Sequence, residues 1–319
     1  MNYIQQAYKG EHKLWMFILT TVLVSGIFIV NLIIFLFLGD GIDVAAEQRK
    51  LLEIVPSKNF WLAVNLLPFA FLLGLLFVLV KYLHKRSLLS LTTSRKKVDW
   101  GRALFSFGLI AGFTIVAFAI AYYMDPSEIE WQFDPIKFSI LVFVSIVLFP
   151  LQIALEEYLF RGYLMQYIGV MVKNRWFPLL LTSILFGIFH GANPEVAEMG
   201  LVVMIFYMGT GLFLGVITLM DEGLELALGF HLGNNLLAAI LVTADWSALQ
   251  TDALFRYTAE KATNTLSEIL VPVLVVYPIL LYVFARKYNW SNWREKLLGR
   301  VARPTIQEDN LLNDDTEIR

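Results

Sequence analysis

The sequence predicts an all-α integral membrane protein, a bundle of about eight transmembrane helices. Three observations carry that expectation. Of 319 residues, 58% are hydrophobic and only 16% charged, and the mean hydropathy is +0.64, outside the range of soluble globular domains. The apolar residues fall in runs long enough to cross a hydrocarbon core of about 30 Å. One run, moreover, carries Glu156, Glu157 and Arg161, charged groups that are costly in hydrocarbon unless paired or solvated in a cavity. The chain has no cysteine, which excludes disulfides, thiolate metal sites and cysteine nucleophiles. The composition excludes a nucleic-acid binder, and the net charge of -2 names no partner.

Taken in order, polar residues up to Lys13 precede a first span at 15–38, too long for the apolar segment of a signal peptide and followed by Gly39-Asp40-Gly41 rather than a small-residue cleavage pattern. It is expected to be retained. A mixed-charge loop at 40–58 leads to a second span at 60–80, with Pro68 and Gly74 as bends that neighbouring helices can tolerate. The basic segment 81–102 follows, then a third span at 103–123 and an acidic stretch at 125–134 that returns the chain to water. The fourth span starts near Ile136, is expected to bend at Pro150 for want of a backbone donor, and keeps helical patterning past the glutamates to about Val172. The turn Lys173-Asn174-Arg175 leads to a fifth span at 176–190. A sixth occupies 199–220, where Gly211 and Gly215 form a small-xxx-small pair suited to close helix contact. Asp221-Glu222-Gly223 breaks the chain before a seventh span at 224–242, and an eighth lies at 269–284. The tail after Arg286 starts basic and aromatic, as at a membrane interface, and ends acidic, as in a disordered segment.

Eight spans put both termini on one side. The N-terminal arm, the 81–102 segment, the 173–175 turn and the tail then hold nearly all the lysine and arginine, against Arg49, Lys50, Lys58, Lys137, Arg256 and Lys261 opposite. By the positive-inside rule both termini are cytoplasmic. Division into spans one to three (1–135), a core of spans four to seven (136–242), and span eight with the tail (243–319) follows the placement of the charged groups.

Three constellations stand out inside the spans: Glu156-Glu157 with Arg161, Phe186 with His190, and His231 with Asn235. On a helix Glu157 and Arg161 are four residues apart and can pair, whereas Glu156 is turned about 100° away. Glu157 and His190 are equidistant from the 173–175 turn, so antiparallel helices from that turn would bring them to one depth, about 24 Å from it. His231 lies about 10 Å into its own span, a depth that matches only if the first hairpin protrudes. Two carboxylates, two imidazoles and an amide around a buried point could activate water and stabilise charge on a carbonyl. The same residues could instead hold a divalent metal such as zinc through His190, His231 and Glu156, with water in the open position. No His-Glu-x-x-His motif is present.

The order Glu-Glu-x-x-x-Arg, Phe-x-x-x-His and His-x-x-x-Asn, on separate membrane helices, resembles the CPBP family of intramembrane proteases. That family includes type II CAAX prenyl endopeptidases and bacteriocin-processing or self-immunity proteins. The resemblance covers spans four to seven, with no departure at a motif position. It implies an intramembrane catalytic cavity in which Glu156, with His190, activates water, His231 and Asn235 form an oxyanion hole, and Glu157 and Arg161 support the site. It leaves open whether the mechanism is of metalloprotease or glutamate type, and it implies a membrane-associated peptide substrate, prenylated in some members.

Blander readings exist for each motif: a structural Glu157–Arg161 ion pair, a helix-end His190 satisfied by backbone carbonyls, interhelical glue from His231 and Asn235, and Phe186 as packing. Two other function classes are a catalytically silent scaffold or immunity protein of the same fold, and an ion-coupled transporter. A scaffold need not keep both glutamates and both histidines, and a transporter predicts internal repeats that the sequence does not show. The absence of cysteine and of a targeting segment fits a prokaryotic plasma membrane, with membrane lipid as the constant partner.

Overall fold

A chain crossing hydrocarbon must satisfy every backbone N–H and C=O internally, and a helix does so within a single segment. The computed structural model describes residues 1–38, 44–258 and 265–304, and it is helical along each apolar run. A short 3₁₀ turn, Ile4–Lys9, precedes α1 (Leu14–Val24) and α2 (Gly26–Ile33), which are bent 66° apart where Ser25 and Gly26 interrupt the run. Helix α3 (Val44–Ile54) occupies part of what the sequence suggested was a loop, and α4 (Lys58–Val78) starts on Ser57, whose side chain caps the Phe60 N–H. Gly39-Asp40-Gly41, Lys261 and the acidic end of the tail lie outside the described residues.

A short α5 (Leu88–Thr92) sits in the basic segment before α6 (Trp100–Met124). Helix α7 (Pro135–Glu157) begins with proline at its first position and Asp134 accepting from the N–H groups of Ile136 and Lys137, a start encoded locally. It runs straight into a π-helical turn, Tyr158–Leu164, and then α8 (Met165–Val172). Pro150 lies inside α7, and a separate irregularity follows the two glutamates, where a π turn often marks a functional position. Helix α9 (Trp176–Ile188), a short α10 (Pro194–Met199), α11 (Val203–Asp221) and α12 (Glu225–Ile240) follow. The chain closes with α13 (Thr265–Val271), a π-helical link, α14 (Tyr277–Tyr288) and α15 (Trp293–Leu298). Strands β1 (Ile129–Trp131), β2 (Val242–Thr243) and β3 (Phe255–Tyr257) form a small sheet in the order β1-β3-β2, so part of the acidic 125–134 stretch is structured.

Among the described residues, five helices are long and apolar enough to cross a membrane, or six if the bent α1–α2 pair is one span. That is fewer than the eight expected. The difference lies partly in α9 and α12, which have 13 and 16 residues and so rise only about 20 and 24 Å. Helix α12 packs largely in the interior, whereas α9 turns Leu180 and Ile184 outward, and both helices carry site residues. The long helices show the opposite pattern: in α6 Phe113, Ile115, Val116 and Ile120 are all exposed, an apolar surface suited to lipid. The chain is a multi-pass membrane protein built mainly of helices, with one small sheet.

Close helix approach is set by glycine at two places. A methyl on Gly211 would fall 2.8 Å from the Ser183 carbonyl oxygen, so α11 and α9 meet along the expected Gly211-Gly215 face. On α12, Gly233 would bring a methyl to 3.1 Å from the Phe107 carbonyl oxygen, and Gly229 faces the Ala103 backbone of α6, a second such pair that the sequence reading passed over.

The two ends of the bundle are knitted separately. At one end Arg95 pairs with Asp221 (3.1 Å) and Glu225 (2.8 Å), Arg102 also reaches Asp221, and Trp290 donates to Asp221 at 3.1 Å. There Arg175 and Lys296 approach Glu222, Asn174 bridges to Arg300, and the N-terminal arm joins through Glu11 to His84. Here too Arg86 is buried without a carboxylate, donating to Ser90 and Gln166, and burial pulls its guanidinium down to about 10. At the other end Asn59 donates to the Lys137 carbonyl, Gln132 to that of Ala253, and the Ala248 N–H to Glu195.

Candidate active site

The two glutamates are brought to the interior by the last turn of α7, and the π turn beyond them is buried from Leu159 to Leu164. Glu157 Oε1 accepts from Arg161 Nη1 at 2.9 Å, with both side chains fully buried. Arg161 Nη2 donates to the Gly211 carbonyl at 3.0 Å, an acceptor made reachable by the close packing of α11, and its guanidinium lies 4.5 Å from the centre of the Phe186 ring. The pair is therefore held by a backbone carbonyl and an aromatic face as well as by charge.

His231 on α12 meets both carboxylates. Its Nδ1 is 2.9 Å from Glu157 Oε1, and its Nε2 is 3.6 Å from Glu156 Oε2. Because Glu157 Oε1 also receives the arginine, it acts as acceptor, which fixes the proton of this ring on Nδ1 and leaves Nε2 facing Glu156. The sequence suggested that Glu156 would point away from its neighbour. In the fold the two acids converge on one imidazole from its two sides, because the ring spans the angle between adjacent helix positions.

Glu156 Oε1 accepts from Gln152 Nε2 at 3.0 Å, while Oε2 is sheltered and has no hydrogen-bond partner. A buried carboxylate oxygen without a donor is a position for an incoming N–H or O–H. His190, just past the end of α9, lies within hydrogen-bond distance of the Phe186 carbonyl through Nδ1 (2.6 Å) and stacks on Tyr207 with ring centres 4.6 Å apart. The carbonyl can only accept, so the proton is on Nδ1 and Nε2 is left uncommitted. Asn234 Nδ2 donates to Asn235 Oδ1 at 3.2 Å, which leaves Nδ2 of Asn235 as its available donor. Phe186 touches His190 (4.6 Å), His231 (5.9 Å) and Arg161, so it is the spacer between the site's parts as well as packing.

These groups line one cavity of about 620 Å³, which includes Gln152, Glu156, Phe186, His190, His231, Asn234 and Asn235. Glu157 and Arg161 stand behind it, buried and absent from its wall. Three further wall residues escaped the sequence reading. Gln152 precedes Glu156 by one helical turn, a spacing that could have flagged it; Tyr207 and Glu195 sit on other helices and gave no such signal. The metal-ligand set suggested by the sequence does not assemble: among the described residues no three of His, Asp and Glu converge on a point that could hold an ion. The physical cause is visible at His231, whose two nitrogens are both turned to carboxylates.

Residues 137–237 match the family model described as Rce1-like, type II CAAX prenyl endopeptidase. The match supports membership of the CPBP family. The CPBP segment runs from the start of α7 into α12 and so contains the glutamate pair, Arg161, Phe186, both histidines and Asn235. The chain is also 26% identical over 257 residues to the uncharacterized protein YyaK of Bacillus subtilis (strain 168), covering 76% of this chain and 83% of that protein. No solved structure matches it.

Proposed function

We propose that the chain is an intramembrane endopeptidase that hydrolyses a peptide bond with a water activated by Glu156. The observation that supports this reading best is the unpartnered Oε2 of Glu156, sheltered on the cavity wall beside His231. A water hydrogen-bonded to that oxygen would lose its proton to it on attacking a peptide carbonyl, and Glu156 would pass the proton on to the amine nitrogen as the C–N bond breaks; a positioned carboxylate of this kind contributes typically about 10²–10⁴-fold. His190, with Nε2 uncommitted, orients the same water or shares its proton. His231 Nε2 and the Asn235 amide would hold the developing oxyanion, the imidazole doing so in its doubly protonated form with Nδ1 donating to Glu157. Glu157 and Arg161 position the ring and do not touch the reacting atoms.

Protease activity is tested by mapping new peptide termini in membranes of cells that express the parent chain or Glu156→Gln at equal levels. Termini that appear with the parent and vanish with the variant are the expected result, and identical terminus maps would refute the proposal. Asn235→Ala is expected to lower turnover with little change in KM, since an oxyanion donor acts on the transition state.

A further inference from the structure

Among the described residues, no cation answers the charge of Glu195. It stands at the start of the short α10, on the wall of the cavity that holds Glu156 and His231. Its Oε1 accepts from the Ala248 N–H at 2.7 Å, and the Ala248 carbonyl in turn accepts from Gln48 Nε2 at 3.3 Å, so the peptide that orients the carboxylate is itself held. Oε2 is sheltered and has no hydrogen-bond partner. A glutamine would accept the same Ala248 N–H. What a glutamate adds is charge, and among the described residues that line the cavity there is no lysine or arginine to pair with it. Burial lifts the Glu195 carboxyl above the ordinary glutamate value, as expected for a desolvated acid without a counter-ion. Such a group gains strongly from a cation brought to it, because the fold has already stripped it of water.

The position is tied to the candidate active site through side chains. Asn193, two residues before Glu195, donates through Nδ2 to the Tyr207 hydroxyl at 3.0 Å, and the Tyr207 ring stacks on His190. Trp61, Phe206 and Tyr207 bring aromatic faces to the same cavity, and such faces attract a planar cation as well as apolar groups. We propose that Glu195 anchors a subsite for the cationic side chain of an arginine or lysine in the bound polypeptide, and that the cavity thereby favours peptide bonds close to a basic residue. Arginine fits best, since a guanidinium can donate to Oε2 and lie flat against a ring at once. The effect on bond choice rests on the endopeptidase reading; the cation site rests on the wall alone. A cavity of about 620 Å³ admits only a short stretch of chain, so the basic residue and the bond cut lie within a few positions of each other.

Glu156→Gln leaves Glu195 as the one carboxylate among the described wall residues, so binding can be read without catalysis. The Tm of the purified full-length Glu156→Gln protein in dodecylmaltoside is measured against rising concentrations of benzamidine, a planar cation, and of benzamide, its neutral isostere. Benzamidine is expected to raise the Tm saturably and benzamide to leave it unchanged. Adding Glu195→Gln, which keeps an acceptor for the Ala248 N–H, is expected to abolish the difference. Equal effects of the two probes, or a difference that survives Glu195→Gln, overturn the subsite. Glu195→Ala gives the same readout should Glu195→Gln fail to accumulate. In membranes of expressing cells, termini that depend on Glu156 are expected to show lysine or arginine enriched at one fixed distance from the cut. That enrichment should fall several-fold with Glu195→Gln and give way to aspartate or glutamate with Glu195→Arg; an unchanged preference overturns the effect on bond choice. Benzamidine binding that depends on Glu195, with no Glu156-dependent termini, would refute the endopeptidase reading and leave the cation site standing. Glu156-dependent termini without a Glu195-dependent preference would do the reverse for bond choice.

Discussion

Replacing Glu157 with glutamine keeps the size of the side chain and removes the charge opposite Arg161. Both groups are fully buried and 2.9 Å apart. At an effective dielectric constant near 20, attraction across that distance is about 6 kcal/mol. The desolvation of two buried ions costs several kcal/mol each, so the intact pair comes close to breaking even against an apolar pair of similar volume. The single substitution does not, because it leaves a buried guanidinium whose Nε already lacks a partner. Glu157→Gln and Arg161→Met are each expected to cost about 3–5 kcal/mol. Glu157→Leu combined with Arg161→Met should cost far less than the sum of the singles, with a residue of about 1–2 kcal/mol for the acceptor that His231 loses. The assay is equilibrium unfolding in mixed micelles of dodecylmaltoside and SDS, followed by the fluorescence of the eight tryptophans. Single costs below about 1 kcal/mol would put the pair in the class of solvent-screened ion pairs and refute the reasoning, as would strict additivity of the double variant.

Other outcomes follow from separate parts of the structure. Gly229→Ala drives a methyl into the Ala103 backbone, 2.8 Å from its carbonyl carbon, and should destabilise by about 1–3 kcal/mol in the same unfolding assay, whereas Gly74→Ala, which meets nothing, should not. Asp221→Asn weakens the ion pairs to Arg95 and Arg102 and the hydrogen bond from Trp290, so limited proteolysis should cut the 290–304 segment faster than in the parent. Burial raises the Glu195 carboxyl above its ordinary value, offset in part by the Ala248 N–H. The native state then holds that proton more tightly than the unfolded chain, so this contribution to stability is full below the ordinary glutamate pKa and is lost as pH rises through the raised one. The Tm of the parent relative to Glu195→Gln should therefore fall across that window, and a pH-independent difference would count against a buried Glu195.

The sequence by itself determined the class of this protein and the residue types of its candidate site. Long apolar runs leave a chain no option but helix in hydrocarbon, and charged groups inside those runs are rare enough to be conspicuous. Local chemistry was equally legible: the α7 start on Asp134-Pro135, the Glu157–Arg161 pair one turn apart and the Gly211–Gly215 contact face all depend on neighbours within a few positions. The number of spans was not legible, because hydropathy does not distinguish a helix long enough to cross from a shorter apolar one such as α9 or α12. Depth counted along each helix matched His231 to Glu157 only on the condition that the first hairpin protrudes, and it took the fold to bring the two side chains into contact. Tertiary structure alone decided that both glutamates face one imidazole, that Gly211 lends its carbonyl to Arg161, and that Tyr207 carries His190. Each of these joins residues on different helices, and the pattern along one helix holds no information about which face of another will meet it.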